Sequence, residues 1–146
     1  MSPLPGHLRA DLAANPSQCV LAYWHKPRWA SGENHGSHPE MQTIWQIFYE
    51  AGAELVINGH EHNYERFEPQ NPEGGFDPQS CIRQFVVGTG GMVRYSFGPP
   101  IANSIVRESD TFGVLKLTLH SGSYSWEFIP EAGKAFVDSG TASCVE

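Results

Sequence analysis

The stretch "SHPEMQTIWQIFYEAGAELVINGHEHNYER", residues 37–66, combines a helix pattern, a strand pattern and a polar motif in immediate succession. Ser37 and Glu40 predict a capping box at the helix start, and Gly52 predicts its end. Apolar residues recur at helical spacing and predict a core-facing stripe: Met41, Ile44, Trp45, Phe48 and Ala51. The "AELVIN" that follows predicts a buried strand, which leads directly into "NGHEHNYER".

The segment upstream predicts a second strand. "CVLAYW", residues 19–24, is a continuous apolar run of strand length, which is typical of a strand buried on both faces in an α/β sheet. Strand, loop, helix and strand at this spacing predict a βαβ unit with parallel pairing and a right-handed crossover. An earlier segment, "HLRADLAANP", predicts a helix that ends at Asn15-Pro16.

The pattern changes after Arg66. A loop rich in Pro and Gly leads to the strand "IRQFVVGTGG", then to the irregular polar segment "RYSFGPPIANSIVRESD". Residues 111–130 predict a β-hairpin turned at Ser121-Gly122. The predicted fold class is therefore mixed α/β, with a C-terminal antiparallel hairpin, in a single domain over residues 1–146.

Composition excludes several classes of function. The formal net charge is −7 and no Lys/Arg cluster is present, which argues against a nucleic-acid-binding protein. No apolar run approaches the ~20 residues of a membrane-spanning helix, and the N-terminus lacks the apolar centre of a signal peptide. The three cysteines allow one disulfide and a free thiol, or three thiols. The sequence leaves localisation undetermined.

The placement of three histidines predicts a metal site. His25 follows the first predicted strand, and His60 and His62 follow the second. Ligand groups in α/β sheets collect beyond the carboxyl ends of adjacent strands, so the three imidazoles are expected to converge. An H-x-H pair in extended backbone projects both rings to one side, and Gly59 is expected to allow a tight turn.

Other interpretations of these histidines remain open. A lone H-x-H pair is a weak signal, and His25 also fits a core histidine bonded to a carbonyl. Three histidines suffice for a mononuclear site, whereas a dinuclear site needs carboxylates as well, including one that bridges the ions. The loop between the strands carries two more histidines. His35 is expected to overhang the strand ends, whereas His38 is predicted to be solvated and to cap the helix.

Three segments carry a resemblance to a known family: "VLAYWHKPRWASGENHG", "NGHEHNYERFEPQ" and "IRQFVVGTGG". They resemble the later motifs of calcineurin-like metallophosphoesterases, and most closely those of the purple acid phosphatase-like branch. The resemblance covers residues 12–144. It implies a sandwich of two mixed sheets flanked by helices, and hydrolysis of phosphate esters at two metal ions (Fe, Zn or Mn).

The resemblance also implies roles for individual residues. It implies metal binding by three of them: His25, His60 and His62. His35 matches a substrate-loop histidine that binds the phosphate or protonates the leaving group. Residues 64–66 match a segment that supports the site. Family members are often exported, which implies a disulfide, with Cys19 and Cys144 as candidates.

The family's earlier aspartate and asparagine-histidine motifs do not precede residue 19, so the chain resembles the C-terminal half of a phosphoesterase. Without those carboxylates, one metal ion or none is expected on this chain alone. An uncovered sheet edge invites pairing, so a homo-oligomer or a separate N-terminal half is expected as partner. Three hypotheses follow: the catalytic half of a phosphate ester hydrolase, a non-catalytic assembly module with at most weak metal binding, or a mononuclear zinc hydrolase.

Overall fold

The structure is a computed structural model that describes residues 4–79 and 82–144. Within these ranges the chain forms two α-helices, a short 3-10 helix and eight strands. In chain order they are α1 (Leu4–Ala14), β1 (Leu21–Trp24), the 3-10 helix (Pro39–Met41), α2 (Gln42–Glu50), β2 (Leu55–Asn58), β3 (Tyr64–Phe67), β4 (Arg83–Val87), β5 (Ser104–Glu108), β6 (Gly113–Leu119), β7 (Ser123–Pro130) and β8 (Ser139–Ser143).

The first sheet has five strands in the order β1-β2-β4-β3-β5. β1, β2 and β4 are parallel, with Leu21 opposite Leu55 and Leu55 opposite Arg83. β3 runs antiparallel to both β4 and β5. The predicted parallel βαβ unit is therefore confirmed, and the carboxyl ends of β1 and β2 lie side by side.

The two faces of this sheet are covered by different layers. Side chains alternate along a strand, so Val56 packs with Trp45 and Phe48 of α2, whereas the adjacent Leu55 packs towards the second sheet. That second sheet is antiparallel, in the order β6-β7-β8, and it contributes Phe128 and its neighbours on β7 to the core. The predicted fold class, with a mixed sheet, helices and a C-terminal antiparallel hairpin, is confirmed.

A group of hydrogen bonds and a disulfide are among the links that join the second sheet to the first. Asp138 accepts hydrogen bonds from Tyr64 Oη at 2.6 Å and from Arg66 Nε and Nη2 at 2.7 and 2.9 Å. A disulfide joins Cys19, which precedes β1, to Cys144, which follows β8. The third cysteine, Cys81, lies outside the described residues.

Several local predictions are wrong. Ser37 does not cap the helix: its hydroxyl accepts a hydrogen bond from Ala30 N at 3.0 Å, and α2 has Met41 as its N-cap without a side-chain hydrogen bond. Ala51 is exposed beyond the end of α2. β1 is an edge strand and not buried on both faces, because Tyr23 is 80% exposed.

The segment predicted to be irregular, residues 94–110, contains β5, and β3 and β8 also lie where no strand was predicted. None of the helices in the described part of the chain is long and apolar enough to span a membrane.

Candidate metal centre

His25 and His60 meet at the carboxyl ends of β1 and β2. The backbone continues the pairing one step beyond the strands, since Gly59 N donates to His25 O at 3.0 Å. The side chains then approach each other, with His60 Nδ1 lying 3.0 Å from His25 Nε2. Parallel pairing of two short strands therefore brings together two histidines that are 35 residues apart in sequence.

The backbone at His60 is in an unusual conformation. Its φ is +70°, in the left-handed region that residues other than glycine seldom adopt. Glu61 N donates to Gly59 O at 2.9 Å across His60, which closes a three-residue γ-turn. The tight turn is thus at His60 and not at Gly59, and the predicted extended H-x-H backbone is wrong. Strained backbone of this kind concentrates at functional sites.

Three other imidazoles surround His60. His35 stacks on it with 4.0 Å between ring centroids, and His25 and His38 make edge contacts at 4.8 and 4.9 Å. Burial and then the neighbouring His35 and His25 lower the pKa of His60 below its usual 6.5. The neutral imidazole, which is the form that binds metal ions, is therefore favoured.

His38 belongs to this cluster, contrary to the prediction that it is a solvated residue. Its side chain is 14% exposed, and its Nδ1 lies 2.9 Å from Glu40 Oε1. A hydrogen bond from the Glu40 backbone and then one from the His38 side chain lower the pKa of Glu40 to about 2, so the Glu40 carboxylate is ionised at neutral pH. His38 Nε2 is buried without a hydrogen-bond partner among the described residues. In the sequence, the position of Glu40 two residues after His38 was the signal that could have placed His38 in this cluster.

His62 has different neighbours. Its Nδ1–H donates to Val93 O at 2.7 Å, which leaves Nε2 free to accept or to bind an ion. Its ring stacks on Tyr95 at 4.0 Å, and Tyr95 also makes an edge contact with His35 at 5.6 Å. Sequence reasoning missed Tyr95, because it lies in an irregular segment without a motif. These ring contacts connect His62 to the His60 cluster through Tyr95 and His35.

Two buried carboxylates hold the loop between β1 and α2. Glu61 Oε1 accepts hydrogen bonds from His35 N and Gly36 N, each at 2.6 Å. Glu65 accepts from Ser31 N at 2.8 Å and from the Ser31 and Ser104 hydroxyls at 2.5 and 2.6 Å. Burial raises the pKa of Glu65, although these hydrogen bonds oppose the rise. Glu61 was missed as a loop anchor, whereas Glu65 belongs to the 64–66 segment that was expected to support the site.

The histidines fit part of a metal-binding set. Metal–nitrogen bonds of 2.0–2.1 Å place two adjacent ligand nitrogens about 3–3.4 Å apart, and the His25–His60 pair has this spacing. His62 has the outer hydrogen bond to a carbonyl that fixes the tautomer of metal-binding histidines. Within residues 4–79 and 82–144, however, no group of three or more His, Cys, Asp or Glu side chains is arranged to hold a metal ion.

Comparisons with known proteins agree with the fold. No family model matches the chain. Acid phosphatase A of Cryphonectria parasitica is 27% identical over 143 residues, which cover 90% of this chain and 28% of that protein. A purple acid phosphatase from yellow lupin seeds, PPD1, superposes with a TM-score of 0.78 at 22% identity over 97% of this chain.

The chain has the purple acid phosphatase fold. The predicted resemblance to the purple acid phosphatase-like branch of the metallophosphoesterases is confirmed. The same fold occurs in GAP50, the anchor in the inner membrane complex of Plasmodium, with a TM-score of 0.79 at 18% identity over 97% of this chain. The chain spans 28% of the lupin structure and 42% of the GAP50 structure.

Proposed function

We propose that this chain takes part in metal-dependent hydrolysis of phosphate esters and supplies histidine ligands to the metal centre. The observation that carries the proposal is the pair of nitrogens, His25 Nε2 and His60 Nδ1, held 3.0 Å apart at the ends of two parallel strands. The similarity to acid phosphatases supports the substrate class.

The residues divide into ligands and a substrate-facing group. His25 and His60 bind one ion and His62 contributes Nε2 to a second, with Fe, Zn or Mn as the ions that imidazole suits. A bound ion supplies an acidified water and polarises the phosphoryl group. His35, stacked on His60, hydrogen-bonds the phosphate or donates a proton to the leaving oxygen.

The remaining ligands are proposed to come from another polypeptide segment. A two-metal centre needs carboxylates, and Glu61 and Glu65 are engaged in holding the loop. β1 is an edge strand with Tyr23 80% exposed, which suits pairing with further chain. The chain that pairs with this edge is a second copy in a homo-oligomer or a separate N-terminal half, and the N-terminal half would also bring the carboxylates; a phosphate ester is the small-molecule partner.

A second candidate is a non-catalytic module with an assembly role and at most weak metal binding. The incomplete ligand set of the described residues favours it. A single fold can host unrelated functions. GAP50, an anchor protein, has the same fold as this chain.

Aryl phosphate hydrolysis by the intact protein, including any partner segment, separates the two candidates. His25→Ala, His60→Ala and His62→Ala are each expected to lower kcat/KM by at least about 100-fold, because loss of a ligand costs more than loss of the group that orients it. The control is His120→Ala, an exposed histidine in the β6–β7 turn, which should leave activity unchanged. Full activity in all three ligand variants would refute the assignment of these histidines as ligands, and no hydrolysis by the intact wild type would favour the module.

A further inference from the structure

Glu61 is the central residue of the H-x-H motif and is fully buried. Two chain segments close around it, the loop that contains Gly32 and the residue that follows β4. A Cβ atom added at Gly32 would lie 2.1 Å from Glu61 Cδ, and one added at Gly88 would lie 1.8 Å from Glu61 O. Only glycine therefore fits at these two positions without displacing Glu61, and the carboxylate sits in an enclosed, specific environment.

The carboxylate binds consecutive amides of the loop that carries His35. Glu61 Oε1 accepts from His35 N and Gly36 N, each at 2.6 Å, and Gly36 has a φ of +66°. Successive N–H groups directed at one point form a nest for an anionic oxygen, and such charge-assisted bonds are short and strong. Glu61 Oε2 is buried and has no hydrogen-bond partner in the part of the chain that the structure describes.

These contacts fix His35 relative to His60. Glu61 follows His60 directly in sequence and holds the backbone of His35, whose ring stacks on His60 at 4.0 Å. The separation between the two imidazoles is thus set through a single side chain. A change at Glu61 would act on the loop and on the H-x-H turn together.

We propose that Glu61 is a positioning residue that holds His35 over the metal-binding edge of the sheet. The proposal rests on the proposed function only in assigning His35 a role towards the substrate. The alternative is that Glu61 merely fills the interior. In that case its substitution would lower the stability of the whole fold and would have no selective effect on the loop.

Amide hydrogen exchange in the full chain, followed residue by residue by NMR, tests the proposal. Glu61→Leu should speed exchange at His35 and Gly36 by about 10- to 100-fold, the factor expected for loss of hydrogen bonds to a charged group. Glu61→Gln should retain most of the protection, because its amide oxygen can still accept both N–H groups. The control is Gln70→Leu, which removes another buried polar side chain and should leave both amides unchanged.

Unchanged exchange at His35 and Gly36 in Glu61→Leu would overturn the proposal. A uniform increase that includes the β2 and β4 amides would overturn it too, since that result means global destabilisation. In an active preparation, Glu61→Leu should lower kcat, and adding it to His35→Ala should cost no more than His35→Ala alone. A selective exchange effect, together with no activity of the intact wild type including any partner segment, would refute the proposed function and leave the positioning role intact.

Discussion

At the scale of single residues, the segment 58–66 alternates between histidines that contact other rings and carboxylates that are buried. His60 and His62 contact other rings near the surface, whereas Glu61 and Glu65 are buried and bind loop atoms. The histidine positions were predictable because strand ends and the H-x-H pattern mark them. The anchoring role of Glu61 was not, because the loop it binds is 25 to 26 residues away in sequence.

A substitution at Asp138 tests how much the hydrogen bonds between the two sheets contribute to stability. Asp138→Asn would leave Arg66, which is only 12% exposed, without its carboxylate, so we expect the free energy of unfolding to fall by about 2–3 kcal/mol. Glu127→Gln is the matched control, because Glu127 pairs with Lys116 on the surface and should change stability by less than about 1 kcal/mol. Urea denaturation measures the stability of both variants. Equal losses of stability would contradict a special role of Asp138 in joining the sheets.

The lowered pKa of Asp138 predicts that the stability of the fold depends on pH. Burial opposes ionisation of Asp138, but hydrogen bonds from Arg66 and Tyr64 outweigh it and lower its pKa below the usual 3.8. A lowered folded-state pKa contributes stability above the unfolded-state value, and this contribution is lost as the pH falls through the folded-state pKa. The stability difference between the wild type and Asp138→Asn should therefore shrink between about pH 5 and pH 2. A constant difference would contradict this explanation.

At the scale of elements, the strands and helices with a strong apolar pattern were the predictable ones. α2, β2, β4 and the β6–β7 hairpin follow from periodicity and turn residues. β5 ("SIVRE") and β8 ("SGTAS") were missed because they are short edge strands with few apolar residues. Their conformation depends on pairing with β3 and β7, which the local sequence does not encode.

The disulfide predicts a large stability contribution at this scale. It closes a loop of 125 residues between the segment before β1 and the end of β8. Restricting the unfolded chain over this length stabilises the fold by about 5 kcal/mol. Cys19→Ala combined with Cys144→Ala should lower the free energy of unfolding by this amount under oxidising conditions. The wild type in reductant is the control and should match the double variant; an unchanged midpoint of denaturation would contradict the prediction.

At the scale of the whole molecule, the mixed sheet has helices on one face and the second sheet on the other. β1 lies at the edge of the mixed sheet, and none of the described strands pairs with its outer side. The resemblance to metallophosphoesterases implied two sheets flanked by helices, and the layers follow that implication, although the second sheet is antiparallel and not mixed. The sequence did not reveal that fewer than three His, Cys, Asp or Glu side chains converge to hold a metal ion within the described residues, because convergence depends on the tertiary arrangement.

Self-association through β1 predicts an effect of charge at this edge. The wild type should run as a multiple of 16.1 kDa in light scattering, and Tyr23→Lys should shift it towards 16.1 kDa, because lysine discourages edge pairing. Val137→Lys places the same charge on another exposed apolar residue and should not change the mass. A monomeric wild type would contradict self-association and leave the separate N-terminal half as the partner.

The measurement that tests the central claim most directly is the metal affinity of the purified chain for Zn²⁺ or Mn²⁺. We expect His25→Ala combined with His60→Ala to weaken binding by at least about 100-fold, whereas His7→Ala combined with His120→Ala leaves it unchanged. Equal affinity in the wild type and the His25/His60 variant would contradict the assignment of these two nitrogens as a metal-binding pair.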